Sequence, residues 1–86
     1  MTAPLHIANR FDILVDLKPD TLEAILAHFD KTPFDRSTVR TTRHADGTRV
    51  VKVVVESLAE EDARAIHDAL KKNDRVFDAR LEHFWR

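Results

Sequence analysis

Three sets of side chains in this sequence have the chemistry to bind or react. The first is histidine. His6, His28, His44, His67 and His83 invite a metal reading, because neutral imidazole is the commonest metal-ligating side chain. Motifs of this kind place two ligands close in sequence, as HxH or as two histidines one helical turn apart. These five fall on different elements without such spacing. The sequence therefore predicts solvated histidines, no metal site and no cofactor.

The second set is Asp12, Asp16 and Asp20, with Lys18 among them. Grouped carboxylates serve acid–base chemistry or hold a hard cation. Here Asp12 and Asp16 fall on the polar side of a strand, and Asp20 opens a helix. The loop of Asp16, Lys18 and Asp20 is kept as a candidate ligand-binding site. The third set is Arg36, Arg40, Arg43 and Arg49. Guanidinium groups suit phosphate, a nucleic-acid backbone or an acidic peptide. The same charges would also protect an edge strand from aggregation. No nucleophile, base and acid fall into a recognisable set, so no catalytic residue is assigned and the chain reads as a non-enzyme.

These side chains need elements to position them. Residues 10–17 alternate, with Phe11, Ile13, Val15 and Leu17 on one face, as in a half-buried strand. Residues 1–9 read as a loose lead-in, which gives one domain over 10–86. Pro19 breaks the strand. Asp20 with Glu23 predicts a capping box, and Leu22, Ile25, Leu26 and Phe29 follow at helical spacing. Residues 37–44 read as a second strand. Asp46-Gly47 predicts a tight hairpin, with the chain's only glycine there for its geometry. Residues 48–56 are apolar on both faces, as a central strand should be. Ser57 and Glu60 predict a second cap, and Ala59, Ala63, Ile66 and Leu70 a helical inner stripe. Asp68 and Lys72 predict an ion pair on the outer face of that helix. A last strand over 75–85 puts Phe77, Ala79 and Leu81 inward. The order is β-α-β-β-α-β. The fold class is α+β, a ferredoxin-like sandwich with sheet order 4-1-3-2 and both helices on one face.

Composition narrows the function. With 86 residues there is one small core and little room for an enclosed active site. The net charge of -1 lacks the basic excess of nonspecific nucleic-acid binders. The absence of cysteine removes thiolate chemistry and leans towards a cytoplasmic protein. No apolar stretch reads as a signal peptide or membrane span.

The open sheet face carries Leu14, Val50 and Val54 among charges, with no aromatic ring on its central strands. That argues against the base-stacking chemistry of RNA-recognition motifs and for a protein partner or homodimer. Trp85 is a further contact candidate, since tryptophan is enriched at interface hot spots. Nucleic acid is a lesser expectation, through the arginines, and a membrane is not expected.

The stretch Val15-Asp16-Leu17-Lys18-Pro19-Asp20-Thr21-Leu22 resembles the first strand-to-helix turn of ACT domains, which often read Asp-x-Pro-Gly-x-Leu there. Asp20 stands at the family's usual glycine. The resemblance implies a small regulatory domain that binds an amino acid at this turn. Asp46-Gly47, the strand 49–55, the helix 60–70 and Asn73-Asp74-Arg75-Val76 look similar to the DUF493 family. That likeness implies a small bacterial regulatory protein of ACT-like fold. The leading expectation is a regulatory or adaptor domain acting through its open sheet face. Amino-acid sensing and anion binding are the alternatives.

Overall fold

A computed structural model describes residues 7–56 and 58–85. The chain runs β1 (Ile7–Val15), α1 (Thr21–Leu26), β2 (Arg40–Arg43), β3 (Arg49–Glu56), α2 (Glu60–Lys71) and β4 (Val76–Trp85). Short 3-10 turns follow α1 at Ala27–Phe29 and precede β2 at Arg36–Thr38. All strand pairs are antiparallel, in the order β2-β3-β1-β4. This is the expected ferredoxin-like sandwich.

The core forms on one face of the sheet. Phe11, Ile13 and Val15 from β1 and Val51, Val53 and Val55 from β3 are fully buried. They pack with Ile25, Leu26 and Phe29 from the first helical segment and with Ala63 and Leu70 from α2. Phe11 and Phe29 meet edge to face, with centroids 4.9 Å apart. Ala63 has no exposed surface, as expected of a small residue where helix and sheet come close. The opposite face of the sheet has no helix over it among the described residues.

Several boundaries differ from the sequence reading, each for a visible reason. β1 starts at Ile7, so residues 7–9 belong to the sheet and not to a lead-in. β3 and β4 are long enough to pair them, out to Glu56 and Trp85. Residues 1–6 lie outside the described residues. β1 also ends at Val15, which leaves Leu17 half-buried beyond the strand. β2 starts three residues later than expected because Asp35 captures the chain. Its carboxylate accepts from the Ser37 N–H at 2.9 Å and hydroxyl at 2.7 Å. Such local bonds compete with a ladder.

The capping box expected at Asp20 does not form. Asp20 occupies the N-cap position of α1 but makes no side-chain cap bond. Ala59 holds that position in α2, and Ser57 lies outside the described residues. Glu60, Glu61 and Asp62 in the first turn of α2 offset the helix dipole instead. On the outer face of α2 the bonded i, i+4 pair is Glu60–Arg64 at 2.8 Å. The carboxylate of Asp68 lies nearest His67 instead of Lys72, at 3.7 Å.

β4 carries a register shift against β1 between Leu14 and Val15. Leu14 faces Asp78 and Val15 faces Val76, so Phe77 is the extra residue of a bulge. Val76 takes the inward position expected for Phe77, and Phe77 is 61% exposed. The β2–β3 hairpin turns at Gly47, whose φ of 86° favours glycine. Asp46 accepts from the Thr48 N–H and hydroxyl, which fixes the loop.

Candidate functional site

The strand-to-helix loop after β1 is built from internal bonds. Asp16 Oδ1 accepts from the Thr21 hydroxyl and from the Lys18 N–H at 3.0 Å. The Thr21 bond, helped by the Lys18 amide, holds the Asp16 carboxyl below its ordinary value. Asp20 receives both terminal nitrogens of Arg75, at 2.7 and 2.8 Å. This bidentate bond lowers the Asp20 carboxyl and raises the Arg75 guanidinium. Arg75 Nη1 also donates to the Thr21 hydroxyl at 3.0 Å. Two of the three expected ligand-binding side chains are thus engaged within the fold. Lys18 is exposed, and its carbonyl accepts from Arg49 at 3.4 Å. Arg75 had no signal in the local sequence, because its partner lies on the far side of the chain.

The four arginines do not converge. Arg36 pairs with Glu23 of the helix at 2.6 Å. Arg40 faces Lys52 across the strands, on the open side of the sheet. Its guanidinium donates to the carbonyls of Ser37 and Val39. Arg43 and Arg49 face each other three positions further along the ladder, on the core side of the pleat. The expected anion-binding cluster is therefore divided between two faces and a turn.

Three histidines join elements together. His67 Nε2 lies 2.8 Å from the Ala79 carbonyl and donates to it. Asn73 Oδ1 accepts from the Arg75 N–H, so its amide nitrogen faces His28 Nε2 at 3.1 Å and donates to it. His83 Nδ1 donates to Asn9 Oδ1, while Asn9 Nδ2 donates to the Leu58 carbonyl at 3.2 Å. Asn9 is fully buried, and these bonds satisfy its amide. No group of three potential metal ligands gathers among the described residues.

The open sheet face brings together most of what the sequence placed on it. Leu14 and Val50 sit side by side in register and are half-buried. They floor a depression of about 370 Å³. Asp12, Lys52, Asp78 and Arg80 rim it, with His44 from the hairpin. Val54 lies two rows away beside Arg10, outside this depression. Asp12 stands between Lys52 and Arg80 in register, yet its ion pair among the described residues is with Arg10, at 3.3 Å. Asp12 Oδ1 is buried and without a hydrogen-bond partner among them. Trp85 is a strand position in register with Ile7; its side chain lies outside what is described.

A larger cleft of about 560 Å³ separates residues 27–32 from α2. Its apolar wall, Leu58 and Ile66, already packs on the core, and its His28 is bonded to Asn73. It reads as a packing seam. No helix among the described residues is long and apolar enough to cross a membrane.

No protein-family model matches the chain, and no curated protein matches it significantly. Solved structures do. The ACT domain from GTP pyrophosphokinase of Chlorobium tepidum aligns with a TM-score of 0.70 at 16% identity, over 90% of this chain and 99% of that one. The C-terminal domain of the MgtC protein from Mycobacterium tuberculosis gives 0.72 at 10% identity, over 91% and 87%. The C-terminal domain of a cyclometallase involved in synthesis of the NPN cofactor of lactate racemase gives 0.63 at 10%, over 96% and 58%. The resemblance to DUF493 gains no support from these structures. At such identities the likeness establishes the fold, an ACT-like ferredoxin sandwich.

Proposed function

We propose that this chain is a small, non-enzymatic regulatory or adaptor domain that acts by binding a protein on its open sheet face. One observation carries the reading. Both helices cover the same side of the sheet, which leaves Leu14 and Val50 at the floor of a charged-rimmed depression. Apolar centres with polar rims are the anatomy of protein interfaces. The fold it shares with the ACT domain from a GTP pyrophosphokinase is consistent with such a role but does not assign it. Val54 and Trp85 would extend the contact, and a bacterial cytoplasm is the setting this reading assumes.

A photo-crosslinking amino acid placed at position 50 in the producing cell tests it. A discrete adduct should form, and Leu14→Glu should abolish it while circular dichroism stays unchanged. The same label on the outer face of α2, at position 68, serves as control. Adducts no different from that control would remove the reading.

Amino-acid sensing at the loop of Asp16, Lys18 and Asp20 is the weaker alternative, because two of its three side chains are internally bonded. Amide shifts in that loop on adding free amino acids would revive it. Anion binding would need Arg36, Arg40, Arg43 and Arg49 to act from separate surfaces.

A further inference from the structure

We infer that the protein seated on the open sheet face is an acidic one, which lays an apolar side chain on Leu14 and Val50 and sets a neighbouring carboxylate on Lys52. The inference rests on the proposed use of that face and names what the face would recognise. It comes from an uneven distribution of charge. The whole chain has a net charge of -1, yet residues 40–52 carry Arg40, Arg43, Arg49 and Lys52 against one acid, Asp46.

Elsewhere on the open face, cations and acids compensate one another within the fold. Among the described residues its ion pairs are Arg10–Asp12, Arg10–Glu82 and Arg80–Asp78. Arg40 and Lys52 belong to none of them. They stand opposite each other in register, both on the open side. Like charges directly opposite across two strands repel and weaken the pairing. Asp12 flanks Lys52 on its other side, but that carboxylate is engaged by Arg10. The guanidinium of Arg40 donates to the carbonyls of Ser37 and Val39, which are neutral and leave its charge uncompensated.

Edge protection accounts for Arg40, because β2 is an edge strand. It does not account for Lys52. β3 lies inside the sheet, between β2 and β1. There Lys52 forms one wall of the depression floored by Leu14 and Val50, and Val50 is two residues along the same strand on the same face. A cation without an acid thus stands beside an apolar floor. A carboxylate adjoining an apolar side chain matches both at once, and a protein segment supplies that combination. A nucleic-acid backbone matches poorly. Asp12, Asp78 and Glu82 share this face and would repel its phosphates, and the central strands offer no ring on which a base could stack.

The photo-crosslinking residue at position 50 in the producing cell, followed by sequencing of the attached peptide, tests it. That peptide should hold Asp or Glu next to an apolar residue. Lys52→Glu should reduce the adduct by roughly tenfold or more, since it turns an attraction into a repulsion, and Lys52→Gln should fall between. Arg43→Glu makes the same charge change on the other side of the pleat and should leave the adduct as it was. Lys52 is exposed, so circular dichroism should stay unchanged throughout. A discrete protein adduct that Lys52→Glu leaves undiminished would overturn the inference while keeping a partner on the face. So would an attached segment without an acid, or equal losses from Lys52→Glu and Arg43→Glu, which would mark a general effect of charge. An adduct that nuclease removes, or none beyond the position 68 control, would end both readings.

Discussion

At the scale of single residues, the loop after β1 makes stability depend on acid. Asp16 and Asp20 both have carboxyls lowered in the folded state, Asp16 chiefly by the Thr21 hydroxyl and Asp20 chiefly by Arg75. A lowered carboxyl contributes stability that is fully present above the unfolded-state value. That contribution is lost as pH falls through the folded value. Thermal melts should therefore hold near neutrality and decline below the ordinary carboxylate range. Asp16→Asn should blunt that acid decline, and an unchanged acid limb would refute the assignment. Asn9 makes a different prediction. It is fully buried, and its amide serves the Leu58 carbonyl and His83. Asn9→Ala leaves that carbonyl without its donor and should cost about 1–3 kcal/mol in urea unfolding. Neither network was legible beforehand. Asp20 reads locally as a helix cap, and only the folded chain brings it the guanidinium of Arg75.

At the scale of elements, the period-two and helical patterns specified which segments are strands and helices, because burial on one face forces that spacing. They could not locate the bulge. A single extra residue at the start of β4 reverses the facing of Phe77, and alternation cannot anticipate an interruption in itself. The consequence is measurable. Phe11→Ala, in the core against Phe29, should cost about 3–5 kcal/mol. Phe77→Ala should change the stability of the isolated chain by about 0.5 kcal/mol or less, as at exposed positions generally. Comparable losses at the two positions would mean that Phe77 is not exposed. The hairpin is the opposite case, where the residue type alone fixed the outcome. A Cβ at Gly47 meets nothing within 4 Å, so Gly47→Ala carries backbone strain without a clash. A loss of about 1 kcal/mol is expected from that strain.

At the scale of the whole molecule, the two-layer architecture concentrates stability in the sheet. β1 lies between β3 and β4, with the core over one face, while β2 is an exposed edge. Amide exchange should therefore be slowest in β1, near the global unfolding free energy, and fastest in β2. The fold was readable at this scale because its strand order follows from two right-handed crossovers. The candidate site was readable in part. Alternation placed Leu14, Val50 and the charges on one face, but cross-strand register decided which of them meet, and it left Val54 apart.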